Sequence, residues 1–203
     1  KLAELDLADE TIVVVTSDHG EELFEHGLFT HAHSLHRELV RVPLVVAGPG
    51  VSVGARVAAL CSTNALGATL LGRLRVPPGP TWPATDLMAR GEEPVFFSTR
   101  QGWWNGRVNQ ALYGLRQGDL TLFLAPTGQP WGGGPAGGVA LFDRALDPRE
   151  REDLAARRPA EAAALRALLE QHLAQLEAER FDALDGPDEA TLDMLRDIGY
   201  IGR

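Results

Sequence analysis

The residues with the greatest chemical potential crowd into one short stretch of the chain. Five of the six histidines lie within positions 19 to 36, and Asp18 directly precedes the first of them. Asp18 and His19 follow a predicted strand, and in the loop beyond a strand neighbouring side chains can converge on one point. A carboxylate beside an imidazole suits a divalent cation such as zinc or manganese. His31 and His33 form a second pair that could approach the same point.

These residues also have ordinary structural explanations. An adjacent Asp and His are common without a metal, and isolated histidines such as His172 are usually surface or satisfied core residues. The acidic residues of the stretch are expected on a solvated face or as a charge bias at a helix start; they are Glu21, Glu22 and Glu25. Position favours the functional interpretation, because the histidines follow a buried strand at the edge where open α/β sheets bind ligands.

Alternating strands and helices are predicted for the first part of the chain. Residues Thr11–Thr16 are apolar and β-branched, as in a central strand covered on both faces. A short helix capped by Ser34, a strand over Leu44–Ala47 and a helix over Thr63–Leu74 follow. Strand, helix, strand and helix in this order predict a doubly wound α/β sheet. Residues 1–76 are therefore assigned to one layered α/β domain.

The pattern changes after Pro77. Residues 77–94 are rich in Pro and Gly and predict a connection. The segment 95–203 is expected to form a small antiparallel-sheet subdomain with a C-terminal helix. Its predicted elements are strands over Val95–Ser98, Ala111–Leu115, Leu120–Leu124 and Leu141–Asp143, a loop over Pro126–Gly138, and helices over Pro159–Glu179 and Ala190–Ile198.

Composition limits the classes of function. The chain has 203 residues, 44% of them hydrophobic, which is enough for a sizeable core. A net charge of −9 argues against binding nucleic acid through phosphate contacts. No apolar run is long enough for a transmembrane helix. Compartment and oligomeric state stay unassigned; a periplasmic or secreted location is expected only if a preceding segment carries a signal peptide.

A combined motif over Thr11–Gly50 resembles the sulfatase branch of the alkaline phosphatase superfamily. The matching pattern is Thr-Ser-Asp-His-Gly-Glu-Glu, then Glu-His-Gly, His-x-His-Ser-Leu, Arg-Val-Pro-Leu-Val-Val and Gly-Pro-Gly, in that order. Weaker similarities continue in Ala68–Leu71, Leu141–Asp143 and Leu195–Ile201. The resemblance therefore covers nearly the whole chain but only the C-terminal part of the family's fold. It implies a doubly wound sulfatase-like sheet followed by a small antiparallel subdomain.

The resemblance also implies roles for individual residues. Asp18 and His19 match the pair that binds the active-site divalent metal, calcium or zinc/manganese. His33 matches the histidine that contacts the sulfate or the leaving oxygen, and His31 matches members with two histidines at this place. Such a metal acts as a Lewis acid on the ester, and a nearby imidazole can protonate the departing alkoxide. The implied substrate is a sulfate or phosphate ester.

Several departures from the family pattern qualify this expectation. Ala32 stands where many sulfatases have Lys, and Lys1 is the only lysine of the chain. The nucleophile motif and the first Asp-Asp metal pair are absent, and Cys61 lacks the residues that would make it a formylglycine site. His36 replaces the family's Tyr. We therefore expect a fragment of a metal-dependent sulfatase-type hydrolase with weak or no activity alone.

Two alternatives stay open at the level of sequence. The first is a phosphodiesterase, phosphonate hydrolase or phosphoethanolamine-type transferase of the same superfamily, which the Asp-His pair and the missing lysine both accommodate. The second is a degenerate, non-catalytic module, supported by Ala32, His36 and Asn64. The identity of the nucleophile would separate the enzyme classes, and metal titration would test the module.

Overall fold

The computed structural model describes residues 1–77, 87, 93–100, 111–126 and 138–178. The chain forms two compact units, Lys1–Leu169 and Glu170–Arg203. Most of the predicted connection 77–94 and of the loop 126–138 lies outside the described residues, as does the predicted helix 190–198. The domain boundaries proposed from the sequence therefore stay predictions.

The first part of the described chain has three strands, a helix, a strand and a helix in succession, and four strands and a third helix follow. The strands are β1 (Val13–Thr16), β2 (Glu22–Leu23), β3 (Phe29–Thr30), β4 (Leu44–Ala47), β5 (Val95–Arg100), β6 (Ala111–Gln117), β7 (Leu120–Leu124) and β8 (Val139–Asp143). The α-helices are α1 (Arg37–Val40), α2 (Leu66–Arg73) and α3 (Pro159–Ala178). The mixed α/β class expected from the sequence is confirmed.

The two apolar strands of the first part lie where the sequence predicts them, but they pair with each other in antiparallel fashion. Val13 is opposite Ala47, and Thr16 is opposite Leu44. A parallel pair needs a crossover of a dozen or more residues, usually a helix. The segment between β1 and β4 is long enough for such a crossover, but it forms the β2–β3 hairpin and α1, a single turn that begins at Arg37, three residues beyond the predicted cap at Ser34. Among the described residues, Val13 and Val15 of β1 stay exposed.

The four later strands form the predicted antiparallel sheet. Their order is β5-β6-β7-β8, so each strand pairs with its neighbour in the chain. The sheet carries a compact apolar cluster, because the residues of one face alternate along β6, β7 and β8. The members of the cluster are Leu35, Leu112, Phe123, Ala125, Ala140 and Phe142. Leu35 is the exception among them, since it comes from the histidine-rich stretch.

Helix α3 begins at Pro159, as predicted, where the missing backbone N–H of proline costs nothing. Ala162, Leu165 and Leu169 are buried at helical spacing, which confirms the apolar stripe over this half of the helix. Among the described residues, none of the helices combines the length and apolar composition that crossing a bilayer requires.

Candidate active site

Asp18 and His19 lie in the loop that leaves the end of β1. The Asp18 carboxylate accepts the His19 backbone N–H at 2.9 Å, and its other oxygen is 3.7 Å from His19 Nε2. The same backbone N–H holds the pKa of Asp18 below its ordinary value. The carboxylate is therefore ionised. It is also exposed and lies beside the His19 imidazole.

The His19 ring is oriented by the backbone of the next residue. His19 Nδ1 lies 2.8 Å from the Gly20 carbonyl oxygen and donates to it, since a carbonyl can only accept. That bond raises the pKa of His19. When the ring is neutral, this tautomer directs the lone pair of Nε2 outward, which is the arrangement of a histidine prepared to bind a cation.

Gly20 ties this loop to helix α1. Its backbone N–H donates to the Leu39 carbonyl at 2.8 Å. A Cβ at this position would lie 1.9 Å from the Glu38 carbonyl oxygen, so no larger residue fits without moving backbone. The glycine is required by this close approach and fixes where Asp18 and His19 sit.

His31 returns to the same place from the far side of the β2–β3 hairpin. Its ring centroid is 4.2 Å from that of His19, and its Nδ1 is 2.7 Å from Glu21 Oε1. His19, Glu21 and His31 are all exposed, and one ligand atom of each lies within 4.8 Å of those of the other two. The structure thus brings His31 to His19, and adds Glu21, which the sequence alone did not single out as functional.

Strained backbone surrounds His31. Thr30 and Ala32, the residues on either side of it, have φ angles of 78° and 67°. Left-handed backbone costs roughly 1–2 kcal/mol for a residue with a side chain, and β-branched Thr30 is a true outlier. Strain of this kind concentrates at functional sites, where the surrounding fold enforces a required geometry.

His33 has a different environment from His31. Its Nε2 is 3.0 Å from Glu22 Oε2, and its Nδ1 is 3.2 Å from the His31 carbonyl oxygen. The side chain of Glu22 is fully buried, and it also accepts bonds from the Ser34 hydroxyl at 3.1 Å and the His26 backbone N–H at 3.0 Å. The sequence placed Glu22 on a solvated face, and this prediction is wrong. Three hydrogen-bond donors surround its buried carboxylate and compensate for the loss of water.

The stretch ends in a buried anchor on the small sheet. His36 stacks on His26 at 3.5 Å between ring centroids and meets Phe123 edge-on. Its Nδ1 is 3.3 Å from the buried carboxylate of Glu150, which also accepts the Arg37 backbone N–H at 2.9 Å. The C-terminal end of the histidine-rich stretch is thus held by contacts more than a hundred positions away in the chain.

The fold and this loop define the chain as part of a mixed α/β protein with an Asp-His pair just after its first strand. The sulfatase family model matches residues 1–76. Arylsulfatase K of Mus musculus is 31% identical over 171 residues, covering 78% of this chain and 29% of that protein. The chain belongs to the sulfatase family. Most of this chain aligns with the mouse protein, but it spans less than a third of that protein's length.

Solved structures agree at the level of the fold. A candidate sulfatase of Bacteroides thetaiotaomicron superposes with a TM-score of 0.72 at 22% identity, covering 89% of this chain and 40% of that one. A protein in complex with its substrate D-glucosamine-2-N,6-O-disulfate gives 0.66 at 22% identity, covering 93% and 38%. The phosphonate monoester hydrolase of Agrobacterium radiobacter gives 0.59 at 22% identity, covering 88% and 37%. Sulfatases and a phosphonate hydrolase therefore share this architecture.

Proposed function

We propose that this chain carries part of the active site of a metal-dependent sulfuric ester hydrolase. The observation that carries the proposal is the convergence of Asp18, His19 and His31 at one exposed end of β1, within the segment that matches the sulfatase family. Carboxylate, imidazole and a second imidazole are the groups that such a hydrolysis needs for a metal ion and for proton transfer.

Asp18 and His19 would hold the divalent metal. Their donor atoms fit this role, because the carboxylate is ionised and exposed and its Oδ2 lies 3.7 Å from His19 Nε2. Oxygen ligands suit calcium, and the imidazole favours zinc or manganese, so both possibilities stay in the proposal. When bound, the ion would polarise an ester oxygen.

His31 would donate the proton to the leaving alkoxide. Its ring is about half exposed, and Glu21 Oε1, 2.7 Å from Nδ1, orients it so that Nε2 is left for the substrate. A carboxylate that holds an imidazole in one tautomer in this way is a recurring device of acid–base catalysis. As an attacking nucleophile, water or a side chain, forms its bond to sulfur and the S–O bond of the ester breaks, the proton on Nε2 would pass to the departing oxygen.

His33 is the second imidazole proposed to face the ester. In the structure both of its ring nitrogens have partners, Glu22 on one side and the His31 carbonyl on the other. Contact with an ester oxygen would require His33 to give up one of these bonds. With or without such a contact, His33 would fix the backbone of His31 through the bond to that carbonyl.

Hydrolysis of an aryl sulfate tests the proposal. The sequence holds no sulfatase nucleophile motif, so we expect weak or no turnover by the 203-residue chain and clear turnover by the natural polypeptide that contains it. In that polypeptide Asp18→Asn and His19→Ala should each lower kcat/KM by at least about a hundredfold, the size of an electrostatic or metal contribution. Asp9→Asn, an exposed carboxylate ahead of β1, is the matched control.

A second candidate is hydrolysis of a phosphodiester or phosphonate monoester. The similarity to the phosphonate monoester hydrolase favours it, together with an Asp-His rather than Asp-Asn pair. Parallel assays with an aryl sulfate, an aryl phosphonate and an aryl phosphodiester separate the two. Faster turnover of the phosphorus esters would replace the sulfatase proposal, and inactivity of the natural polypeptide toward all three would favour a non-catalytic module.

A further inference from the structure

A pocket of ≈ 410 Å³ lies beside helix α1, outside the residues assigned to the ester hydrolysis. Its lining consists of two arginines, one glutamate and three apolar residues, namely Arg37, Glu38, Arg41, Val42, Pro43 and Leu44. Two of these residues border the loop that carries the proposed metal pair. Leu44 is opposite Thr16, where that loop begins, and the Glu38 carbonyl oxygen lies 1.9 Å from where a Cβ of Gly20 would be. The pocket is therefore next to the candidate active site without sharing its residues.

A third arginine lies near the same helix. The first residue of α1, Arg37, is attached to the turn after β8, because its Nη1 donates to the Pro148 carbonyl at 2.6 Å and its backbone N–H donates to Glu150 at 2.9 Å. Arg144 begins that turn and lies within electrostatic range of Arg37 and Arg41. Burial lowers the pKa of Arg144, Glu150 opposes this effect, and the two neighbouring arginines add to the lowering. Three guanidinium groups are thus gathered where α1 meets the turn.

Two of the three guanidinium groups lack a compensating partner. Among the described residues, Arg144 Nε and Nη1 are buried and have no hydrogen-bond acceptor. Arg41 makes no ion pair with any residue of the described ranges. Glu38 is shared, since one carboxylate oxygen is 3.8 Å from Arg37 Nε and the other is 3.3 Å from His26 Nε2. A buried donor without an acceptor is unfavourable, so an anion that accepts these N–H groups would stabilise the arrangement.

We propose that Arg37, Arg41 and Arg144 bind a tetrahedral oxyanion, a sulfate or phosphate group, at this pocket. Guanidinium groups suit such a ligand, because their planar N–H donors bind two oxygens of one group at once. The arginines form a local excess of positive charge in a chain whose net charge is −9. The apolar side of the pocket, Val42 to Leu44, suits an uncharged part of the molecule that carries the anion.

Two sources could supply this oxyanion. One is a free inorganic anion. The other is a second sulfate or phosphate group on the ester substrate, which could reach the pocket because the pocket borders the loop of the candidate active site. The second source rests on the proposed function, whereas the binding of an oxyanion does not and can be measured on the chain alone.

The test is titration of the metal-free 203-residue chain with sodium sulfate and, separately, with sodium phosphate by calorimetry at constant ionic strength. We expect one anion per chain. Arg41→Gln and Arg144→Gln should each weaken binding by about tenfold or more, because each removes charge-assisted hydrogen bonds. Arg56→Gln, at an exposed arginine outside the pocket lining, is the matched control and should leave binding unchanged. Circular dichroism melting curves of each variant establish that a loss of binding is not a loss of fold.

Three results would overturn the proposal. The first is the absence of sulfate and phosphate binding by the folded chain. The second is binding that both Arg41→Gln and Arg144→Gln retain in full. The third is an equal loss of binding in Arg56→Gln, which would mean that the anion responds only to net charge.

Kinetics of the natural polypeptide distinguish the two sources of the oxyanion. If the group belongs to the substrate, Arg41→Gln should raise the KM of an aryl sulfate that carries a second sulfate group about tenfold more than the KM of the matching monosulfate. Equal changes of the two KM values would assign the pocket to a free anion. Failure of ester hydrolysis with intact sulfate binding would refute the proposed function alone, so the two conclusions are separable.

Discussion

The two sheets of the molecule have similar apolar sequences and opposite burial. In the β1–β4 pair, Val15 and Val45 are 57% and 58% exposed. In the β5–β8 sheet, Leu115, Leu122 and Leu141 are fully buried. Strand propensity is equally strong in both, so the difference comes from what packs on each face, not from residue type. The small sheet supplies its own core, whereas few of the described residues pack on Val15 and Val45.

The site loop takes its stability from the buried sheet. Leu35 belongs to the apolar cluster of the small sheet, and His36 lies edge-on to Phe123 and Phe142. Four positions before Leu35, His31 is exposed and lies between two residues with left-handed backbone, Thr30 and Ala32. A rigid, buried foundation beside an open, strained loop is the arrangement expected where function selects the loop geometry.

The largest expected difference in the free energy of unfolding is between a phenylalanine of the small sheet and one of the site hairpin. Phe123→Ala should lower the free energy of unfolding by about 3–5 kcal/mol, because the ring is buried among Phe97, Phe142 and His36. Phe29→Ala, at an exposed ring of the site hairpin stacked on Phe24, should cost no more than about 1 kcal/mol. Urea denaturation at equilibrium measures both. Equal losses would mean that the hairpin is part of the core.

An intermediate effect is expected at two adjacent glutamates. Glu22→Gln should destabilise the chain by about 1–3 kcal/mol, because the buried carboxylate accepts bonds from His33, Ser34 and the His26 backbone. Glu21→Gln is the matched control, since its exposed pair with His31 is worth about 0–1 kcal/mol.

Proton NMR of the histidine rings sharpens the same comparison. Glu22→Gln should shift the His33 ring signals and leave those of His19 in place. Glu21→Gln should shift the His31 ring signals and leave those of His33 in place. If both substitutions perturbed the same ring, the separation of the two histidine environments would be incorrect.

The sequence was sufficient for most of the strands and helices, while the roles of the site residues stay predictions. Runs of β-branched and apolar residues located β1, β4 and the small sheet, and the motif at the end of β1 selected Asp18 and His19. Nothing in one sequence distinguishes Glu22 from Glu21, because burial of a carboxylate depends on donors that arrive from His33 and Ser34 only after folding. The antiparallel pairing of β1 and β4 also escaped prediction, since the apolar pattern of a strand does not specify the direction of its partner.

The smallest effect concerns backbone strain and has opposite signs in the two regions. The site loop has left-handed backbone at Thr30 and Ala32, whereas the strands β6 to β8 and their described connections use it only at Gly118 and Gly138. Ala32→Gly should relieve about 1–2 kcal/mol of strain and lose about 0.5–1 kcal/mol to the flexibility of the unfolded chain.

The net expectation for Ala32→Gly is a stabilisation of at most about 1.5 kcal/mol. Ala140→Gly, in the buried face of β8, has no strain to relieve and should destabilise by about 1 kcal/mol. Paired thermal melts compare the two substitutions directly. A stabilised Ala32→Gly variant with slower ester hydrolysis by the natural polypeptide would connect the strain to the position of His31, because the relaxed loop no longer holds that ring against His19. Unchanged hydrolysis in a stabilised variant would show that the hairpin places His31 without the strain.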